Sequence, residues 1–359
     1  MTAVYTVTGL MSGSSLDGID LCCVRFRLGP TGWSYRILAA ETRAYPAQWT
    51  ERLLSAASLS EPGRRELDND LGLHYGQVLR DFHRENHLQT DWISSHGHTI
   101  LHEPARGITF QAGNGQIMAD ATGCPVVHDF RSADVAQGGQ GAPLVPIGDK
   151  LLFAGYYVCL NLGGFANISY DGPAGDRLAY DTGPANMPLN WVAQQAGMEY
   201  DEGGRLARQG KPDPELLNRL NDLAYYHLPP PKSLGREWFL DQMLPLIESW
   251  TGTREDLLAT LTEHVAGHVA RGIRTAGASS VLATGGGAFN TYLMDRIREE
   301  TGLRIDLPDP LLIRFKEALV FAFLGVLRIR GEINCLKSVT GGRTDLSAGV
   351  LCYPAPLAR

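Results

Sequence analysis

Apolar and polar residues alternate along the first forty positions in a way that predicts three successive strands, Val4 to Leu10, Ile19 to Arg27 and Trp33 to Ala40. A polar, glycine-punctuated stretch and then Gly29-Pro30-Thr31-Gly32 separate them, so the three read as an antiparallel meander. After Pro62 and Gly63, Leu67, Leu71, Tyr75, Val78 and Phe82 recur every three or four residues, a helical stripe suited to one face of that meander. Trp92 to Ser95 reads as a short buried strand that stops at His96-Gly97-His98-Thr99. Ile108 to Gln111 follows as a strand, Gln116 to Ala121 as a helix, and Pro125 to His128 as a strand ending in Asp129-Phe130-Arg131.

The second half repeats this grammar. Tyr156 to Leu162, Ala166 to Tyr170 and Arg177 to Tyr180 predict another meander, and from Asp256 the residues Leu257, Leu261, Val265, Val269 and Ile273 keep four-residue spacing in the clearest helix of the chain. A strand at Val281 to Ala283, a helix through Tyr292 to Ile297, a short strand at Leu303 to Ile305 and an apolar helix from Leu312 to about Ile329 complete the pattern. Two copies of a meander followed by alternating elements predict an α/β fold of two ribonuclease-H-like domains around a central cleft, residues 1–135 and 136–359. Ala136 to Pro146 is too polar for core and too constrained for a free linker, and reads as a cleft wall. Residues from about 197 to 250, with Pro229-Pro230-Pro231, fit the duplication least and read as an insertion near the cleft mouth.

A length of 359 residues suits two domains, and 44% hydrophobic with 20% charged residues excludes disordered and fibrous classes. The formal net charge of −7, without a basic run, argues against nucleic acid or an anionic membrane and for a small partner. No apolar run reaches the length of a spanning helix, and the N-terminus lacks a charged n-region and a cleavage site, so a cytoplasmic location is expected. Cys22, Cys23, Cys124, Cys159, Cys335 and Cys352 form no C-x-x-C pair and read as small, reduced core residues.

Candidate chemistry concentrates in three glycine-rich turns. Between the first two strands lie Gly9, Gly13 and Gly18, which let backbone approach a ligand, with Ser12, Ser14 and Ser15 adding hydroxyls. Asp17 and Asp20 can face a bound cation or cap the turn by Asx-type bonds. It is not a Walker A loop, since no G-K-[ST] follows and a strand leaves the turn; an ordinary surface hairpin is the plain alternative. The second turn, Gly163-Gly164, again joins two strands, and the third, Gly285-Gly286-Gly287, leads from a strand into an amphipathic segment. Two hairpins can cradle phosphates and the third turn can floor an adenosine, which points to the actin, hexokinase and heat-shock ATPase class. That class usually has an acidic residue on its first strand, where this chain has Met11, so Asp17 and Asp20 are the nearest magnesium candidates, acting through water. Asp181, at the end of a predicted strand and before Thr182-Gly183-Pro184, reads either as the acceptor-activating base or as the N-cap of a helix starting at Pro184.

The stretches MSGSSLDGID (11–20), DFRSADVAQGGQGAPLVP (129–146), LNLGGFANIS (160–169), YDTGPANMPLN (180–190), PKSLGRE (231–237), ATGGGAFN (283–290) and SVTGGR (338–343) resemble the 1,6-anhydro-N-acetylmuramic acid kinases, a bacterial cell-wall recycling family, over nearly the whole chain. The resemblance implies an ATP- and Mg²⁺-dependent sugar kinase in which water opens the anhydro ring and O6 receives the γ-phosphoryl group, giving N-acetylmuramic acid 6-phosphate and ADP. It makes Asp181 the base. It assigns ATP to Gly13, Ser14, Ser15, Leu16, Asp17, Gly18, Ile19 and Asp20, to Gly163, Gly164 and Asn167, and to Gly285, Gly286, Gly287 and Asn290. For the sugar it points to His98, Thr99, Arg131, Asp134, Gln140, Lys232 and Glu317. His98 stands where the family more often has glutamine, Ser14 where it has threonine and Ala185 where it has glycine. A guanidinium fork at Arg131 suits the lactyl carboxylate, though Arg131 and Asp134 also fit a structural ion pair. His96, His98 and His102 suggest a metal by type, but no fourth ligand lies nearby in the sequence. Glu317, on the last helix, fits a solvated face equally well.

Two other functions remain compatible with the residues, a kinase for a different sugar or anhydrosugar and a non-enzymatic actin-like nucleotide switch. Against the switch, six residues after Tyr353 leave no room for a peptide-binding module, and the GGQGAP wall has no purpose there. A homodimer stays open as the assembly.

Overall fold

The computed structural model describes residues 3–13, 16 and 18–356. Its strands are β1 (Ala3–Ser12), β2 (Ile19–Gly29), β3 (Gly32–Arg43), β4 (Trp92–Glu103), β5 (Ile108–Ala112), β6 (Val126–His128), β7 (Val158–Leu162), β8 (Phe165–Asp171), β9 (Arg177–Pro184), β10 (Val281–Thr284), β11 (Ile305–Asp306) and β12 (Val350–Cys352). They fall into two sheets, ordered β12-β6-β4-β1-β2-β3, with β5 added beside β4, and β11-β10-β7-β8-β9. In each sheet the meander is antiparallel and the later strands join its first strand in parallel, β4 to β1 and β10 to β7. This shared order is the ribonuclease-H-like arrangement, present twice.

Two compact units result, residues 1–152 with 315–359, and residues 153–314. The sequence suggested a boundary at 135/136 and gave the whole C-terminal region to the second domain. The difference has a packing cause. The helix Pro310–Ile329 is broken at Phe315 (φ −110°, ψ 16°), and beyond that point it lies directly on β1 and β4. A Cβ added to Gly9 would sit 1.9 Å from the Ala318 carbonyl oxygen, so only glycine permits that approach. Ser94 of β4 donates to the Phe321 carbonyl at 2.5 Å, and β12 pairs with β6. The other face of β1 is covered by the helix Glu61–Glu85 through Leu67, Leu71, Tyr75, Leu79 and Phe82, all buried. That helix starts at Ser60, whose side chain accepts from the Gly63 amide.

In the second unit the helix Arg254–Thr275, capped by Thr253, packs Val265, Val269 and Ile273 against Leu160, Leu162 and Ile168. Its first turns serve another core. Leu257, Leu258 and Leu261 gather Leu189, Leu216, Leu220, Phe239, Met243 and Ile247, most of them from the inserted 197–250 region. None of the described helices is long and apolar enough to cross a membrane.

Several strands run further than their sequence suggested, and the extensions of β4 and β9 bear on candidate residues. β4 continues to Glu103 because β5 folds back along Thr99 to Glu103, so the His96–Thr99 stretch is strand rather than loop. β9 continues to Pro184 against Phe165, with a bulge at Ala166/Asn167, which places Asp181 inside a strand; the following helix starts only at Asn186, and its cap is Ala185. Asp181 is therefore not a helix cap.

The tightest contact yields a test. Gly9→Ala should destabilise the chain by about 3 kcal/mol, since the Ala318 backbone cannot move aside without lifting the last helix; an unchanged midpoint in denaturant unfolding would contradict this packing.

Candidate active site

The first unit carries six of the seven sugar-side candidates, His98, Thr99, Arg131, Asp134, Gln140 and Glu317. Arg131 donates from Nη1 to the Gly141 carbonyl (2.6 Å) and from Nη2 and Nε to His96 Nε2 (2.8 and 3.2 Å). His96 Nδ1 donates to the Gly97 carbonyl at 2.9 Å, which fixes its tautomer. Burial and the Arg131 charge hold this imidazole well below its ordinary value, so it stays neutral and can accept. Burial also lowers Arg131, to about 10, with Glu317 opposing; it remains a cation. One N–H on each terminal nitrogen of Arg131 is left without a partner among the described residues, which is what a carboxylate needs for a two-point grip.

Asp134, expected beside Arg131 as a ligand or ion-pair partner, makes no ion pair with Arg131 among the described residues and is held by other groups. Its carboxylate is fully buried and accepts from the Gly141 amide (2.8 Å), the Thr340 hydroxyl (2.8 Å) and Gln137 Nε2 (3.3 Å). A Cβ on Gly139 or Gly342 would strike it. Asp134 thus ties the GGQGAP loop to the SVTGGR turn and orients Arg131 indirectly through Gly141. Gln140 remains exposed, and Thr99 is half-buried on β4. His98 Nδ1 lies 2.8 Å from Ser12 Oγ, which also meets Tyr45 Oη at 2.7 Å; burial lowers His98 to about 4. His102 Nδ1 is engaged by Thr109. Among the described residues no group of three or more His, Cys, Asp or Glu side chains comes together as a metal site.

Of the first glycine turn, Ser14, Ser15 and Asp17 lie outside the described residues. Leu16 takes a left-handed φ of 60°, and its amide donates to the Gly13 carbonyl at 3.3 Å. Gly18 and Ile19 lead into β2, and Asp20 accepts from the Thr42 hydroxyl at 2.5 Å. Glu317 reaches solvent, yet crowding by its surroundings raises its carboxyl, and the Asp20 charge raises it further. Asp20 is thus close enough for its charge to act on Glu317.

In the second unit, the other two glycine turns meet. The Gly163 and Gly164 carbonyls accept from the Asn186, Ala185 and Met187 amides at the start of the helix Asn186–Gln194, and the Gly164 N–H has no partner among the described residues. Gly285 has φ +83°, and a Cβ there would lie 2.7 Å from Asn161 Oδ1 and 2.8 Å from the Leu162 carbonyl. Gly287 is as tight against Asn186 and Leu162. Asn186, overlooked in the sequence, is the joint: its side chain donates to Leu162 O at 3.0 Å while its backbone holds Gly163. Beside this corner opens a cavity of about 660 Å³, lined by Asn186, Asn190, Gly286, Gly287, Phe289 and Asn290. Tyr200, Glu202 and Gly203 of the insertion and Arg314 complete it, and nothing in their spacing signalled this. The insertion thus walls this cavity. Asn290 lines it too, but its side chain caps the helix Thr291–Thr301 through the Leu293 amide.

Asp181 is half-buried opposite Asn167 on β8. Its Oδ2 accepts from the Leu234 amide at 2.8 Å, its N–H donates to the Lys232 carbonyl at 3.0 Å, and its carbonyl accepts from the Tyr225 hydroxyl at 2.6 Å. Oδ1 has no partner among the described residues. Burial raises the carboxyl to about 6, only partly opposed by the Leu234 bond. The Lys232 ammonium does not pair with it. Instead it donates to the Tyr225 carbonyl at 3.0 Å and lies 4.5 Å from that ring's centre.

The profile of the anhydro-N-acetylmuramic acid kinase family matches residues 5–354. The chain belongs to that family. It is 38% identical to the anhydro-N-acetylmuramic acid kinase of Acidithiobacillus ferrooxidans over 95% of this chain and 90% of the relative. With the enzyme so named from Acidiphilium cryptum it shares 37%, over 98% and 99%, and with that from Methylorubrum extorquens 35%, over 98% and 100%.

For this anhydro-N-acetylmuramic acid kinase family member, the buried Asp134 gives a clear expectation. Asp134→Ala strands the Gly141 amide and the Thr340 hydroxyl, and should cost about 3 kcal/mol by denaturant unfolding; a loss confined to substrate affinity would instead make it a direct ligand.

Proposed function

We propose that the chain is an ATP-dependent kinase that opens 1,6-anhydro-N-acetylmuramic acid with water and phosphorylates O6, releasing N-acetylmuramic acid 6-phosphate and ADP in cytoplasmic cell-wall recycling. Relatives named for this activity align over nearly all of the chain. The observation that carries the chemistry is Asp181, a desolvated carboxylate with one oxygen anchored and the other open. At about 6, its pKa leaves it mostly ionised at neutral pH yet basic enough to accept a proton.

In the reaction Asp181 takes a proton from water as that oxygen bonds to the anomeric carbon. The C1–O6 bond breaks, O6 takes the γ-phosphoryl group, and the cleaved β–γ linkage leaves with ADP. Phosphoryl transfer replaces the acid that a glycosidase supplies to its leaving oxygen. In the second unit the cavity beside Gly285–Gly287 and Asn290 suits adenosine and the Gly164 amide suits phosphate, with Gly163 and Asn167 shaping the floor; in the first unit the Gly13–Asp20 turn is the phosphate element that the family resemblance implies. Arg131 would hold the lactyl carboxylate, with Thr99, Gln140 and the open Nε2 of His98 for the sugar's hydroxyl and amide groups. Lys232 is engaged by Tyr225, so its part is to hold the strand of the base.

The Asp20–Glu317 proximity is a like-charge arrangement that a divalent cation relieves, which fits magnesium held by Asp20, Asp17 and Glu317 through water. When bound, Mg²⁺ neutralises charge on the phosphates.

Asp181→Asn should lower turnover about 10²- to 10⁴-fold while ATP still binds by calorimetry; near-normal turnover would refute the base assignment. Because the folded carboxyl must lose its proton to act, wild-type turnover should fall as pH drops through about 6. Incubation with ATP, Mg²⁺ and either anhydro-N-acetylmuramic acid or anhydro-N-acetylglucosamine tests the substrate. ADP release with the first alone is expected; equal release with both would favour another anhydrosugar, and release with neither a nucleotide switch.

A further inference from the structure

Three of the four polar atoms of Asp181 are tied to one segment, residues 225–234. The backbone N–H goes to Lys232, Oδ2 takes the Leu234 amide, and the carbonyl takes the Tyr225 hydroxyl. Only the Tyr225 bond comes from a side chain of that segment. The Tyr225 ring is itself fixed, by Tyr226 (centroids 5.7 Å apart, 84°), by Trp238 (5.5 Å) and by the Lys232 ammonium above it.

The neighbouring Tyr226 looks alike and does something different. Asn221 Oδ1 can only accept, so His264 Nδ1 (2.7 Å) and His268 Nε2 (3.0 Å) both donate to it. Burial keeps His264 neutral, so its Nε2 accepts from the Tyr226 hydroxyl at 2.7 Å. Tyr226 stacks on His268 at 3.8 Å and lies against Gly183, where a Cβ would come 2.9 Å from its oxygen. It supports the strand without touching Asp181.

We propose that Tyr225 is a positioning residue for the base, its hydroxyl holding the Asp181 carbonyl so that the open carboxylate oxygen is presented to the attacking water and kept desolvated. This rests on the reading of Asp181 as the base. The ionisable groups around the pair are Tyr180 on the same strand, Tyr226 beside Tyr225, and Lys232 with Arg271, His227 and His268 behind it. None of the described residues places a cation on the carboxylate itself, so its water exposure sets its proton affinity. Tyr225→Phe keeps the ring and removes the bond, which admits water to the Asp181 carbonyl and lowers the carboxyl toward its ordinary value.

The test is steady-state ADP release from ATP and anhydro-N-acetylmuramic acid across pH for wild type, Tyr225→Phe, Tyr226→Phe and Asp181→Asn. Tyr225→Phe should lower kcat roughly tenfold or more, keep KM for ATP within about twofold, and move the acid limb of the profile down by about half a pH unit or more. Tyr226→Phe should lower the unfolding midpoint and leave the acid limb in place. A Tyr225→Phe enzyme with unchanged kcat and limb would overturn the proposal, as would an equal displacement of the limb in Tyr226→Phe, which would mark a merely structural effect. Wild-type turnover in Asp181→Asn would overturn the base assignment and this proposal together, whereas an inactive Asp181→Asn beside an unaltered Tyr225→Phe would overturn this proposal alone.

Discussion

Where β1 passes beneath the last long helix there is no room for a Cβ, and Gly9 supplies the missing volume against the Ala318 carbonyl. That contact decides more than local packing. The helix is held to the first sheet one residue from Glu317, and β1 runs on from Gly9 through Ser12 into the first glycine turn. The closeness that lets Asp20 raise the Glu317 carboxyl therefore depends on backbone-to-backbone contact in a buried core, as does the level at which Ser12 meets His98. Cores tolerate changes of shape poorly, so acidic groups set on such a seam keep their spacing.

The electrostatics of the candidate residues follow from burial more than from ion pairing. His96 and His98 are held neutral, Arg131 stays charged because its bonds to His96 and Gly141 replace water, and Asp181 is raised because one amide does not compensate for lost hydration. Neutral partners leave Arg131 charge to offer an anion. A carboxylate at that position would have consumed it, and Asp134 is kept away by its own bonds to Gly141 and Thr340.

Apolar runs bounded by glycine-marked turns were enough to read β1 to β3, and four-residue spacing enough for the helix Arg254–Thr275, because in both the pattern is local to the element. The glycine corner was legible for a similar reason: Gly285 and Gly287 answer a steric need that no other residue meets. What escaped depended on distant partners. The true ends of β4 and β9 are set by β5 and by Phe165, the burial of Asp134 by a turn two hundred residues away, and the engagement of Lys232 by Tyr225. Tyr200, Glu202 and Arg314 reach the cavity through folding of the insertion, which has no periodic signature.

That insertion also shares a beam with its host. The helix Arg254–Thr275 gives Leu257, Leu258 and Leu261 to the small core of residues 197–250, and Val265, Val269 and Ile273 to the sheet of the second unit. The segment is consequently no detachable cassette: excising it would bare three leucines on a splint that the parent sheet still needs.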